Sequence, residues 1–258
     1  HEFKLQSIAV VGARRLEAFA SYLATIPATS RRVRHLFISI IRDRTPRKSK
    51  CRLFKHRICD FWEHERRTSG ILNQILKCIS PTLETLHLIS NIPRTSVLVS
   101  IPLPRLYSLT IHGPMHIYDH LDDKLPIFPS LRQLTLKSFT EYPAGMLHDI
   151  SRQAPSLNGL SFALERPLAF LPLDLSRALD HESTQEPTVP PSLNQISVHH
   201  GIGQKDKENV WIRAAQRVML ENLSKVVEMD NRVKVVGLKQ LHTYHEAKTR
   251  WLQDCDSR

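Results

Sequence analysis

Glycine is scarce, with 8 in 258 residues, too few to build several backbone-lined phosphate cradles. No G-x-S-x-G elbow, Walker loop or G-x-G-x-x-G fingerprint occurs, and Gly201-Ile202-Gly203 lacks the third glycine and the charged partner that would give it meaning. No catalytic residue, cofactor site or metal site is assigned on this basis. Long apolar runs are also missing. Ile71 to Ile79 and Val97 to Leu106 fall short of the roughly 20 residues a membrane helix needs, and both are interrupted by polar residues or proline, so no membrane association is expected. Cysteine is limited to Cys51, Cys59, Cys78 and Cys255 at unrelated spacings, which fits a reduced intracellular compartment, cytoplasm or nucleus, better than a disulfide framework. The chain opens at His1 without an initiator Met, and Phe3 to Val11 alternates like a strand rather than forming a signal peptide. A fragment lacking its own N-terminus is expected.

Charge is plentiful but uneven. Lys and Arg number 36 against 25 Asp and Glu, for a formal +11. Residues 42–67 hold ten Lys/Arg and four Asp/Glu, a local excess of +6, and few spaced apolar residues apart from Leu53, Phe54, Ile58, Phe61 and Trp62. This segment reads as a basic insertion that either is simply solvated or contacts nucleic-acid phosphates. Two polar clusters invite a metal reading. Cys51, His56, Cys59 and His64 lack the C-x2-C pair of structural zinc sites, and Gly113-Pro114 breaks the helix that would align His112, His116 and His120. His199-His200 follows a strand that could bring it near His112.

What dominates the chain is a repeat. Pro129-Ser130-Leu131-Arg132-Gln133-Leu134-Thr135-Leu136 reads P-x-L-x-x-L-x-L, and the pattern returns at Pro81 to Leu88, Pro104 to Ile111, Pro155 to Phe162 and Pro191 to Val198. Copies without the proline occur at Leu5 to Val10 and Val33 to Ile38. The first Leu of the central copies falls at 83, 106, 131 and 157, spacings of 23, 25 and 26, within the range of leucine-rich repeats. The last two apolar positions of each copy are two apart and share one face of an extended strand. Stacked copies therefore predict a parallel sheet with two apolar ladders: Ile8, Leu36, Leu86, Leu109, Leu134, Leu160, Ile196, and Val10, Ile38, Leu88, Ile111, Leu136, Phe162, Val198.

Between the copies, apolar spacing predicts helices over Arg14 to Thr25, Gly70 to Ser80 and Tyr142 to Ala154, with extended links at 91–104 and 114–129. Residues 165–192 carry five prolines and are expected to be a long Pro-rich link. The strongest helical pattern follows Asp206, taken as its N-cap, with Val210, Trp211, Ala214, Val218, Leu220, Leu223, Val226 and Val227 as an apolar stripe. A strand at Arg232 to Leu238 and a polar helix at Tyr244 to Asp254 are expected to close the stack, making 206–258 a C-terminal helical cap on a single 1–258 domain. The fold class is α/β: an irregular solenoid with its sheet on the concave face.

Degenerate repeats with Pro-x-Leu before each strand, together with the early helix, proline and Val33-Arg34-His35-Leu36 strand, resemble the repeat regions of fungal F-box proteins over residues 1 to about 200. The resemblance implies substrate recognition for a ubiquitin-ligase adaptor, with the ligase scaffold joined through an F-box upstream of residue 1; no F-box pattern occurs within this chain. It also implies a protein partner; that no catalysis is expected rests on the missing motifs above.

The partner surface is expected on the concave side of the sheet. Its residues are His35, Phe37, Thr85, His87, Tyr107, Ser108, Thr110, Arg132, Gln133, Thr135, Asn158, Ser161, Gln195 and Ser197, mostly polar and uncharged. The plainer alternative for these positions is solvation alone. The alternative function is a basic nucleic-acid-associated scaffold, with an enzyme lacking a recognisable motif as the third reading.

Overall fold

Each L-x-x-L-x-L copy becomes a strand, and each strand pairs with the next copy along the chain. In the computed structural model these are β1 (Ser7–Val11), β2 (His35–Ile40), β3 (Thr85–Ser90), β5 (Ser108–His112), β7 (Gln133–Lys137), β8 (Gly159–Leu164), β9 (Gln195–His200) and β10 (Val233–Gly237). They form one eight-stranded sheet in the order β1-β2-β3-β5-β7-β8-β9-β10, parallel throughout. The chain is thus α/β. A separate two-stranded sheet joins β4 (Val97–Leu98) to β6 (Met115–His116). The structure describes residues 6–40, 54–90, 97–98, 101–113, 115–116, 126–138, 142, 145–180, 189–201, 209–237, 247–249 and 251–253.

The register keeps the expected ladders. Ile8 pairs with Leu36, and Leu86, Leu109, Leu134, Leu160 and Ile196 continue that row to Val233; the second row runs from Val10 through Ile38, Leu88, Ile111, Leu136, Phe162 and Val198 to Val235. From Leu36 to Ile196 and from Ile38 to Val198 these side chains are buried in one continuous core. Each contributes roughly 1.5 to 3 kcal/mol by leaving water.

The proline before each strand has a mechanical role. Leu106, Leu131, Leu157 and Leu193 each donate their backbone N–H to the carbonyl three residues earlier, at Leu103, Phe128, Ala154 and Pro190. Pro104, Pro129, Pro155 and Pro191 then occupy the second position of the turn, where a fixed φ near −65° is preorganised. The turn drops the first Leu of the copy into the core: Leu83, Leu106, Leu131, Leu157 and Leu193 are all buried.

The helices cover the face that carries the two ladders. α1 (Ala13–Thr25) buries Leu16, Ala20 and Leu23, and stops at Ile26, which is extended because proline follows. α2 (Phe54–Ile79) is one continuous helix of 26 residues. Residues 54–67, read from the sequence as part of a basic insertion, are its first turns. Phe54, Ile58, Phe61 and Trp62 fall at i, i+4, i+7 and i+8, the spacing of one helix face, and Lys, Arg and Glu between them are good helix formers. Residues 42–53 of the basic segment lie outside the described residues. α3 (Met146–Gln153) buries Met146, Leu147 and Ile150.

Among the described residues no helix lies between β3 and β7. Leu103, Ile127 and Phe128 fill the core there from extended segments, pinned by Leu103 N–H to Ile127 O at 2.8 Å and Phe128 N–H to Gln153 O at 2.9 Å.

Three further expectations need correction. The Pro-rich link 165–192 contains α4 (Phe170–Leu179), which buries Leu171, Pro172 and Leu175. Pro172 sits in the first turn, where its missing N–H has no intrahelical partner to lose; residues 181–188 lie outside the described residues. α5 (Val210–Met229) is capped by Asn209, whose side chain accepts from Trp211 N and Ile212 N, and not by Asp206. Of the expected stripe, Leu223 and Val226 are buried together with Met219, and Leu220 packs against the core, whereas Val210, Ala214, Trp211 (84% exposed) and Val218 (56%) over the first turns stand in solvent. Last, the 206–258 segment is not a simple cap at the end of the stack. β10 does extend the sheet, but residues 247–249 and 251–253, which are helical, lie against β2 and β3 at the other end. Among the described residues no helix is long and apolar enough to cross a membrane.

Candidate interaction surface

Strand alternation sends the residues between the ladder positions to the face away from the main core. Register sets them in three rows. The first runs His35, Thr85, Ser108, Gln133, Gly159, Gln195; the second Phe37, His87, Thr110, Thr135, Ser161, Ser197, Lys234; the third Ser39, Ile89, His112, Lys137, Ala163, His199, Val236. Tyr107, Arg132 and Asn158 stand at the margin where the chain enters the sheet. Their carbonyls each accept two N–H groups from the next copy: Arg132 and Gln133 onto Tyr107, Asn158 and Gly159 onto Arg132, Asn194 and Gln195 onto Asn158. Those paired bonds hold neighbouring strands level.

The face has two unlike halves. Over β1 to β3, Phe37, Ile89, Ala247 and Trp251 form a small apolar cluster of their own with Val11 packed against it. The Trp251 and Phe37 rings lie 5.4 Å apart, Phe37 stacks on His87 at 4.9 Å, and His87 meets His112 at 5.0 Å. Phe37, expected in solvent, is fully buried, and His35 and His87 are buried with it. The closure is chemically incomplete. Ser39 Oγ and Trp251 Nε1 are buried with no hydrogen-bond partner among the described residues, a cost of roughly 1 to 3 kcal/mol per group.

The imidazoles are held by close polar contacts. His35 Nδ1 lies 2.9 Å from Thr85 Oγ1, and His87 Nε2 lies 3.1 Å from His112 Nε2. Burial, reinforced by His112 and Lys137, pushes the His87 pKa down to about 2, so the ring stays neutral at ordinary pH. His199 is also lowered, by burial and then by Lys137. His112 and His199 do not share a pocket: both lie in the third row, but β7 and β8 separate their strands, a spacing of about 14 Å. His200 turns to the helical side, where Gln216 Nε2 is 3.1 Å from its Nδ1.

Over β5 to β9 the face is mostly polar. Thr110, Thr135 and Ser161 are half-buried hydroxyls, flanked by exposed Arg132, Gln133 and Gln195; Ser197 is buried. Gln195 Nε2 donates to Ser197 Oγ at 3.1 Å. The Gln133 carboxamide lies over Gly159, where a Cβ would stand 2.9 Å from its carbon and nitrogen. At the margin of the covered half, Arg34 donates twice to the Glu84 carboxylate, at 2.9 and 2.8 Å, and Arg105 approaches it at 3.7 Å.

The repeat pattern locates the first two rows and misses the third, although continuing the same alternation by two residues reaches His112, Lys137 and His199. Trp251 carries no such signal. The two metal readings fall largely outside the described residues, and among those no three His, Cys, Asp or Glu side chains are grouped to hold a metal ion. On the helical side, Tyr142, Gly145, Phe170, Leu173, Asp174 and Arg177 line a cavity of about 230 Å3. There the Tyr142 hydroxyl donates to Asp174 Oδ2 at 2.6 Å, and burial together with that carboxylate raises its pKa far above the ordinary tyrosine value.

Comparison of the chain with protein-family models, with curated proteins and with solved structures finds no match.

Proposed function

We propose that this chain is a leucine-rich-repeat solenoid that binds a protein partner through the open half of its polar face, over β5 to β9, and acts by recognition and not by catalysis. The observation that carries the reading is the unbroken register of the sheet. It presents Thr110, Thr135 and Ser161 in one row, with Gln133, Gln195 and Arg132 beside them. Uncharged donors and acceptors on a rigid parallel sheet suit the backbone and polar side chains of another protein, because little ordering entropy is lost when such a surface is engaged. The resemblance to fungal F-box proteins extends the proposal: the partner is a substrate, and a ubiquitin-ligase scaffold joins through an F-box upstream.

Affinity purification of the full-length protein with mass spectrometry tests this, comparing the wild type with a Thr135→Arg, Ser161→Arg double variant. Partners that co-purify with the first and are lost from the second are expected. The same set from both proteins overturns the surface assignment, and absence of the ligase scaffold from the wild-type set overturns the adaptor extension.

A further inference from the structure

The cavity on the helical side lies away from the face assigned to a protein partner, and most of its lining comes from one helix. We propose that it binds a free α-amino acid with an aromatic or branched aliphatic side chain. The ammonium group pairs with Asp174, the carboxylate with Arg177, and the side chain lies against Phe170 and Leu173. This site is independent of the partner reading.

Phe170, Leu173, Asp174 and Arg177 stand at i, i+3, i+4 and i+7, one stripe of α4 turned away from Leu171, Pro172 and Leu175, which the helix buries. At 1.5 Å per residue the stripe is about 10 Å long, apolar at its start, then acidic, then basic. An amino acid laid along it with its side chain toward Phe170 presents its two charged groups to the two charged residues. The apolar end is uncovered, since Phe170 is 68% exposed and Leu173 47%. The acid is held in place from the opposite wall, where the Tyr142 hydroxyl donates to Asp174 Oδ2 at 2.6 Å. Asp174 and Arg177 are near enough along the helix to pair, yet among the described residues neither forms an ion pair. Two opposite charges that leave each other free suit a ligand bearing both. A purely anionic ligand would face Asp174, and a purely cationic one Arg177. Size points the same way. An apolar cavity of about 150 Å3 admits benzene, so about 230 Å3 takes one ring or branched chain together with the head of an amino acid, whereas drug-sized ligands occupy about 300 Å3 or more.

Isothermal titration calorimetry of the full chain with L-phenylalanine and with L-leucine tests this. At least one is expected to bind with a Kd of about 1 mM or tighter, a modest affinity for a ligand of roughly ten non-hydrogen atoms. Its amide, which lacks the carboxylate, and its N-acetyl derivative, which lacks the ammonium group, should each bind at least about 10-fold more weakly, the loss of one charge-assisted contact. Arg177→Gln should weaken the free amino acid to the level of the amide and leave the amide itself unchanged; Asp174→Asn should do the same with respect to the N-acetyl derivative. No binding of either amino acid well above that concentration, or binding that is indifferent to amidation and acetylation, overturns the proposal. Should Asp174→Asn fail to fold because Tyr142 loses its acceptor, two exposed positions serve. Arg177→Gln is still expected to equalise acid and amide, and Phe170→Ala to weaken both. Wild-type affinities in these two variants overturn the site.

Discussion

His87 and His112 face each other across adjacent parallel strands, Nε2 to Nε2 at 3.1 Å. One ring must donate and the other accept, so the pair is sound only while at least one of the two nitrogens is unprotonated. Because the folded His87 pKa is depressed to about 2, the unfolded chain binds a proton there below roughly pH 6.5 and the folded chain does not. Stability contributed by this group is complete above that value and is lost as pH falls, by about 1.4 kcal/mol per pH unit. Urea unfolding of wild type and His87→Gln from pH 7.5 to 5 should show the steeper loss in the wild type. Parallel curves would contradict a neutral, buried His87.

Leu134 stands between Leu109 and Leu160 in the first ladder and is 2% exposed. Leu134→Ala removes buried methyl groups where neighbouring strands cannot close the gap, and should cost about 2 to 5 kcal/mol in chemical denaturation. A midpoint equal to the wild type would mean that this strand is misplaced.

Gly159 separates stability from surface. A Cβ at this position meets the Gln133 carboxamide, the movable end of a flexible side chain, so the clash is relieved by a rotamer change and not by the backbone. Gly159→Ala should therefore alter stability by less than about 1 kcal/mol while shifting Gln133 on the open face. Partner affinity is expected to change where the melting temperature does not, and a Gln133→Ala background should remove that change.

Asn209 closes the start of α5 by accepting from Trp211 N at 3.0 Å and Ile212 N at 3.3 Å. Asn209→Ala should cost about 1 kcal/mol and Asn209→Asp little, since both oxygens of the carboxylate can accept the same bonds. Thermal unfolding of the two variants makes the comparison.

The sequence by itself determined the strands, their register and the two faces of the sheet. A period of two is local: once Leu134 and Leu136 are inward, Gln133 and Thr135 must point outward, and each Pro-x-Leu turn restarts that count. From it followed the ladders and the accessible residues of the open half, Thr110, Gln133, Thr135, Ser161 and Gln195. Composition misled where a residue's effect depends on its place. Pro172 read as a breaker, yet it sits in the first turn of α4, and the basic stretch before Gly70 read as an insertion, yet residues 54–69 continue into one helix.

Only the tertiary structure decided how much of the α5 stripe meets the core and what covers Phe37. Trp211 belongs to a good apolar stripe and stands in solvent, whereas Trp251 lies in a polar sequence and is buried. The reason is one of range. Alternation and turn geometry act between residues a few positions apart, but the choice of which aromatic ring docks on which strand is made between residues 37 and 251, by the volume and polarity of a socket that exists only after the sheet has formed.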